Sequence, residues 1–311
     1  MAAVLPAGKL PAALLQRLLA GLPADPRVLI GPAYGEDAAV VAGAGDECWV
    51  VTTDPITFAA DHLGWYLVQV NANDIAVMGA RPEFLTASLL FPAAATTPEA
   101  VEACFAQIGQ ACRELDIAWI GGHTEITPAV TQPVACGQMI GRVARSRLVT
   151  SSGGRVGDDL VLIGWLGIEG TAILARDARL LFDPGIGISR AARRVCDTIR
   201  PHAMHDPTEG GLATAVRELA TASGVGAMLF DAPLPVLEPT RAVCERLGID
   251  VLGLLSSGSL LVACDPADTA VLLSSVPTAT HIGRLLTASE GFRLGDRPLP
   301  SFDRDELARI S

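Results

Sequence analysis

The chain has 311 residues, half of them apolar, and a formal net charge of −11. This length exceeds what one hydrophobic core usually organises, so the sequence predicts a globular protein of two domains. Phosphate backbones are bound by basic surfaces, so the acidic balance argues against a nucleic-acid partner. Lys9 is the only lysine, which argues against Schiff-base chemistry and against a lysine-tipped phosphate loop.

The N-terminal leucines have helical spacing, but Gln16 and Arg17 interrupt them too early for a signal-peptide core. No uninterrupted apolar run approaches the length of a membrane span. The seven cysteines contain no C-x-x-C pair, a pattern typical of reduced, buried thiols rather than of a zinc ribbon or a redox pair. We therefore expect a cytoplasmic protein without a membrane partner.

Residues 1–29 are predicted to form a helical extension, and residues 30–150 a first α/β domain. Its predicted elements in chain order are a strand over 48–53 that stops at Asp54-Pro55, a helix over 61–78, a strand over 83–91, a helix that begins at Thr97-Pro98-Glu99, a strand over 117–120 and a strand over 134–143. The helix at Thr97 has a capping hydroxyl, a proline in the first turn and an early carboxylate, which is the favoured start.

The segment GGHTEIT, residues 121–127, follows the apolar run 117–120. Taken alone, two glycines after an apolar run favour a plain turn, because glycine tolerates positive φ. A ligand-binding segment at the mouth of a strand is the alternative. The residues of this stretch by themselves leave both interpretations open.

Residues 151–158 are the richest stretch of small and polar residues and predict a domain boundary, with a second α/β domain over 151–311. Its predicted elements are an initial strand at LVLIGWLG, helices near 168–178, 189–200 and 212–223, the loop HDPTEGG, and strands around 252–263 and 281–285.

Several carboxylates stand at the ends of predicted elements rather than on helix surfaces. They are Glu36, Asp37, Asp54, Asp74, Glu125 and Asp206. If several of them converge, their repulsion must be offset by cations. Magnesium is the natural candidate, because it prefers hard oxygen ligands and usually brings phosphate. The alternative is structural: Asp37 and Asp54 as turn or capping residues, Asp74 paired with Asn71 on one helix, and Asp206 as a helix cap.

The common nucleotide and hydrolase motifs are absent from the sequence. It has no G-x-x-x-x-G-K-[ST], no complete G-x-G-x-x-G and no G-x-S-x-G. His202 and His205 form an H-x-x-H, but no cysteine or third histidine is near in sequence, which disfavours zinc. A nucleotide site would therefore depend on metal, backbone amides and arginine.

One ordered set of motifs resembles the PurM-like (AIR synthase-related) superfamily. The motifs are GEDAAVV, VVTTDP, VNANDIAVMGARP, WIGGHTEIT, GDDLVLIGWLGIEGTAILA, HDPTEGGLATAV and LLSSGSLLVA, over roughly residues 30–290. Within the superfamily, the second-domain motifs are most similar to the hydrogenase maturation factor HypE and its relatives. The resemblance implies a two-domain fold, an N-terminal domain that forms a dimeric, β-barrel-like sheet assembly with a second subunit, a C-terminal α/β domain, and bound ATP and Mg²⁺.

The resemblance also implies roles for individual residues. Metal ligands would be Asp37, Asp54, Asp74 and Glu125, and cofactor-binding residues would be Asn73, Gly121, Gly122, Thr124, Gly210 and Gly211. Asp206, with Thr208 beside it, would be the second-domain acid at the reaction centre. The implied reaction transfers the γ-phosphoryl group of ATP to an unidentified small-molecule, protein-borne or carbamoyl-type acceptor.

The sequence departs from the HypE pattern at two positions. His123 follows Gly-Gly where HypE typically carries Asp, and Ser311 ends the chain where HypE has a terminal Cys. A hydroxyl cannot carry a thiocyanate, so we expect an enzyme that is HypE-like in build but does not catalyse the thiocyanate-forming reaction. The alternatives are a non-catalytic nucleotide-binding assembly partner and a thiamine-monophosphate kinase-like enzyme.

Overall fold

The computed structural model describes residues 5, 8, 10–57 and 61–310. Lys9 and Ser311, on which two of the expectations above depend, lie outside the described residues. The first half of the chain is built on a mixed sheet with the strand order β1-β2-β3-β6-β4-β5. Its strands are β1 (Val28–Ile30), β2 (Ala39–Ala42), β3 (Glu47–Ile56), β4 (Arg81–Pro92), β5 (Ala118–Thr127) and β6 (Val134–Ala144).

Three helices accompany this sheet: α1 (Ala12–Leu19), α2 (Leu63–Val77) and α3 (Pro98–Leu115). The predicted start of α3 is confirmed, because Thr97 accepts a hydrogen bond from the Ala100 amide at 3.3 Å and Pro98 opens the helix. Nearly every residue of α2 is buried. A helix that is buried on all sides lies inside a protein rather than on its surface, so α2 is the central element of the fold.

The second half is built on another mixed sheet, with the order β13-β12-β9-β11-β7-β10-β8. Its strands are β7 (Asp159–Ile163), β8 (Ala203–His205), β9 (Gly226–Leu229), β10 (Leu260–Cys264), β11 (Ala279–Leu286), β12 (Phe292–Leu294) and β13 (Arg297–Pro298). Its helices are α4 (Ile168–Ala175), α5 (Ser189–Thr198), α6 (Gly211–Ala222), α7 (Glu238–Leu247), α8 (Pro266–Ser275) and α9 (Leu307–Ile310).

The two halves share apolar packing. Ile168, Ala172, Leu181 and Ile186 of the second half belong to the same buried cluster as the core of the first sheet. In a second cluster, Ala76 and Val77 of α2 pack with residues of β7 and β10. The predicted limits at residues 30 and 150 remain predictions, but the sheets themselves extend over 28–144 and 159–298. Within the described residues, no helix is both long and apolar enough to cross a membrane.

Candidate active site

Four carboxylates converge where α2 meets the second half of the chain. Asp74 is buried on α2 and accepts a hydrogen bond at 2.7 Å from the hydroxyl of Thr52 on β3. Burial raises the pKa of Asp74 well above its ordinary value, and the nearby charges of Asp54, Asp206 and Asp37 raise it further. The acids that the sequence scatters over 170 residues are therefore electrostatic neighbours.

Asp54 is positioned by the side chain of Asn71 on α2. The Asn71 Oδ1 accepts from the Asp54 amide at 3.0 Å, and Nδ2 donates to the Asp54 carbonyl at 3.3 Å. The predicted end of the strand at Asp54 is wrong, because β3 continues through Pro55 to Ile56. Pairing with β2 reaches only Val51, whereas Pro55 and Ile56 still pair with Cys136 and Ala135 of β6.

Asp37 and Asp206 reach the cluster from the two sheets. Asp37 precedes β2, and Asp206 directly follows β8. The side chain of His205 lies between Asp37 and Glu218 of α6, with Nδ1 2.8 Å from Asp37 Oδ2 and Nε2 3.1 Å from Glu218 Oε2. Burial alone would lower the pKa of His205, but the two carboxylates outweigh burial and raise it well above its ordinary value.

The carboxylates at this junction suit a divalent cation. One ligand atom from each of Asp37, His205 and Asp206 lies within 4.8 Å of the others. Asp74 has the charges of Asp54, Asp206 and Asp37 as neighbours, and His205 contacts Asp37. Clustered carboxylate oxygens that repel one another suit Mg²⁺, a hard cation that prefers oxygen ligands.

The segment GGHTEIT is not a turn. All seven residues belong to β5, which pairs in parallel with β4, and the strand continues to Thr127. One extra residue, Ile120, interrupts the register between Trp119 and Gly121. Gly122 has φ of +148°, and a Cβ there would overlap the carbonyl oxygen of Ala87. The glycine thus permits a bulge in a strand rather than a reversal of the chain.

The edge position of β5 separates its residues from the acidic cluster. The register aligns Asp54, Gly137, Ala87 and Gly122 in one row across β3, β6, β4 and β5. At about 4.8 Å per strand, the backbone of Gly122 is about 14 Å from that of Asp54.

Side chains alternate along β5, so the predicted ligands on it face two different sides. Thr124 is on the side that α2 covers, and Glu125 is on the other, where its carboxylate is 3.4 Å from the exposed ring of His123. Within one chain the structure therefore does not bring Glu125 or the two glycines into the cluster.

The remaining predicted residues are engaged within the protein. The amide of Asn73 donates to the Ile186 carbonyl and accepts from the Ile188 amide, both at 2.9 Å. The carbonyl of Thr208 accepts from the amides of Gly211 and Ser256, and the Gly210 amide donates to Asp305 at 2.7 Å. Their predicted roles in nucleotide binding and catalysis remain predictions.

Both halves of the chain match one protein family. The model of the AIR synthase related protein N-terminal domain matches residues 35–143, and the model of the C-terminal domain matches residues 155–294. The chain belongs to the AIR synthase related family. Membership of this family confirms the resemblance and the two-domain α/β fold, and the described strands form open mixed sheets rather than a closed barrel.

Two relatives and one solved structure locate the chain within the AIR synthase related family. The chain is 29% identical over 289 residues to a putative hydrogenase expression/formation protein of Methanocaldococcus jannaschii, covering 85% of this chain and 86% of the relative. It is 32% identical over 260 residues to carbamoyl dehydratase HypE of Cupriavidus necator, with 78% and 72% covered. It is similar to the crystal structure of the hydrogenase maturation protein HypE in complex with ATP, with a TM-score of 0.73, 25% identity, and 87% and 89% covered.

Several polar residues of the site were not predicted from the sequence of this AIR synthase related chain. The Thr52 hydroxyl donates to Asp74, and Ser151 donates to Asp37 Oδ2 at 2.8 Å, although its segment was predicted only as a domain boundary. His205 and Glu218 were also not assigned to the site. The adjacency of His205 to Asp206 was the one available signal, whereas nothing in the sequence joins Glu218 or Ser151 to Asp37.

Proposed function

We propose that the chain is an ATP- and magnesium-dependent enzyme of HypE-like type that transfers the γ-phosphoryl group of ATP to a small-molecule or carbamoyl-type acceptor. The convergence of Asp37, Asp54, Asp74 and Asp206 carries this proposal. Buried carboxylates in such proximity are costly unless a cation joins them, and their presence at the junction of the two halves is difficult to explain by stability alone. The ATP bound to the HypE structure named above supports the choice of nucleotide.

In this proposal, Asp37, Asp54 and Asp74 hold magnesium, which when bound neutralises phosphate charge. Asp206 would orient the acceptor and, where the acceptor is a hydroxyl, accept its proton. The bond between the γ-phosphorus and the bridging oxygen breaks, a bond to the acceptor oxygen forms, and ADP leaves. Phosphoryl transfer depends mainly on positioning and electrostatic stabilisation, which a rigid set of carboxylates on a buried helix provides.

We further propose that two copies of the chain pair through the first sheet. The face of this sheet opposite α2 carries half-buried apolar side chains, namely Trp49, Val51, Phe84, Leu90 and Ile140. Beside this face, the edge strand β5 exposes Ile120, which is 58% accessible. Apolar side chains on an uncovered sheet face favour a covering layer, and a second identical sheet would supply one.

Calorimetric titration with ATP, in the presence and absence of Mg²⁺, tests the enzymatic proposal when phosphate release is followed in the same samples. Asp54→Asn is expected to reduce Mg²⁺-dependent binding at least tenfold. Asp46→Asn removes the same charge just before the opposite end of β3 and is expected to change binding less than twofold. Binding without turnover would instead indicate a nucleotide-binding assembly partner, and absence of binding would contradict the proposal.

A further inference from the structure

His205 joins the two halves of the chain through a pair of carboxylates. The residue is 4% accessible, and its ring lies between two carboxylates, with Nδ1 2.8 Å from Asp37 of the first half and Nε2 3.1 Å from Glu218 of the second half. Because both nitrogens are engaged, the ring has no lone pair directed at a metal in this arrangement. His205 therefore acts on the cluster through Asp37 rather than as a ligand.

Asp37 is oriented mainly by residues of the other half of the chain. Its Oδ2 accepts from His205 Nδ1 and from Ser151 Oγ, each at 2.8 Å. The Ser151 amide also donates to Glu36, the neighbour of Asp37, at 3.2 Å. The described residues offer Oδ1 of Asp37 no hydrogen-bond donor, so one oxygen is fixed and the other is left to the acidic cluster.

We propose that His205 is a positioning residue that holds the Asp37 carboxylate in the orientation required for Mg²⁺ binding. This inference rests on the proposed function and adds a residue to the same site. Groups that orient a metal ligand typically change metal affinity 10- to 100-fold when they are removed. The bridge also explains why a charged pair is buried at this point, since it connects the magnesium-binding loop of one half to α6 of the other.

The two ring nitrogens can be tested separately with amide side chains. An asparagine amide occupies approximately the place of Nδ1, whereas the longer glutamine amide occupies approximately the place of Nε2. His205→Asn can therefore still donate to Asp37, and His205→Gln can still donate to Glu218. If His205 only fills space in the interior, the two variants should bind Mg²⁺ equally. If His205 positions Asp37, only His205→Asn should keep an affinity for Mg²⁺ close to that of wild type.

The neighbouring His202 provides a matched control. Its Nδ1 is 2.9 Å from both carboxylate oxygens of Asp158, and both residues belong to the second half. His202→Gln therefore breaks a comparable histidine–carboxylate pair without touching the acidic cluster. It is expected to lower the unfolding temperature while leaving the affinity for Mg²⁺ within about threefold of wild type.

The experiment is a calorimetric titration of ATP into the protein at a series of fixed free Mg²⁺ concentrations, which gives the affinity for Mg²⁺, with thermal unfolding in EDTA as a folding check. His205→Gln is expected to weaken Mg²⁺ binding by about 10- to 100-fold, and His205→Asn by less than about threefold. Ser151→Ala removes the other donor to Asp37 Oδ2, and it serves as the second test if His205→Gln does not fold.

The possible results separate this inference from the proposed function. Equal losses of Mg²⁺ affinity in the two His205 variants would overturn the positioning role, and so would an unchanged affinity in both His205→Gln and Ser151→Ala. In either case, binding of Mg²⁺ by the wild-type protein would leave the proposed function standing. A wild-type protein that binds no Mg²⁺ with ATP would overturn both.

Discussion

The hydroxyl of Thr52 donates to the carboxylate of Asp74 at 2.7 Å, and this bond is buried between β3 and α2. It is one of the few favourable contacts of a carboxylate whose other neighbours include the acids Asp54, Asp206 and Asp37. Asp74 therefore destabilises the metal-free protein in its ionised form, which is the usual condition of a carboxylate arranged for a cation rather than for stability.

Asp74→Asn is expected to stabilise the metal-free protein and to weaken Mg²⁺-dependent ATP binding at least tenfold. An asparagine at this position can still accept the hydrogen bond from the Thr52 hydroxyl, but it carries no charge. Because the folded-state pKa of Asp74 is raised, the cost of its charge appears as the pH rises above the ordinary value of 3.8, so the gain in stability is larger at pH 8 than at pH 5. Thermal unfolding in EDTA and calorimetry measure the two effects, and a destabilised variant at pH 8 would contradict the interpretation.

Glu169, which lies outside the carboxylate cluster, is expected to give the stability of the protein a second pH dependence. It is buried in the first turn of α4, and burial raises its pKa from 4.5 to about 7 even though it accepts a hydrogen bond from Ser257. Over this range the folded protein keeps a proton on Glu169 that the unfolded chain releases, so the stability falls as the pH rises from about 4.5 to 7. Glu169→Gln should therefore raise the free energy of unfolding at pH 8 by on the order of 3 kcal/mol, and by far less at pH 5.

Urea unfolding at the two pH values measures this difference. Glu238→Gln is the matched control, because Glu238 also lies in the first turn of a helix but is exposed. A gain that is the same at pH 5 and pH 8 in Glu169→Gln would refute the assigned cause.

The two glycines of β5 are expected to respond differently to substitution. A Cβ at Gly121 would meet no atom within 4 Å, whereas a Cβ at Gly122 would overlap the backbone of Ala87. The φ angle of Gly122 is also positive. Gly122→Ala should cost on the order of 2–4 kcal/mol in the free energy of unfolding, and Gly121→Ala less than about 0.5 kcal/mol. Chemical denaturation tests this, and equal costs would show that the bulge is not the reason for Gly122.

Pairing of two chains through the first sheet predicts a mass in solution of about twice the 32.3 kDa of one chain. Val51→Asp places a charge in the apolar face and is expected to give a monomer by light scattering. Val271→Asp changes an exposed valine of α8 and should leave the dimer intact. A monomeric wild type, or an equal effect of both substitutions, would contradict this mode of pairing.

The fold and many of its elements followed from sequence patterns. Helix α3 was predicted from local chemistry at Thr97, Pro98 and Glu99, and the motifs that contain Asp54, Asp74 and Asp206 gave the family. Helices α7 and α8 were missed although each has a proline in its first turn and Asp265 caps α8, and the short strand β8 was missed as well. Short strands are specified mainly by their neighbours in the sheet, so a single sequence carries little information about them.

The sequence by itself determined the acidic balance, the scarcity of lysine and the residues at which carboxylates end the predicted elements. Only the tertiary structure decided which of these carboxylates meet. It joined Asp37, Asp54, Asp74 and Asp206, left Glu125 on an exposed edge, and placed GGHTEIT, for which the residues alone left a turn and a ligand-binding segment open, in an edge strand. The physical reason is that β4 satisfies the backbone of β5, and that burial beside α2, which no local pattern encodes, sets the charge environment of each acid.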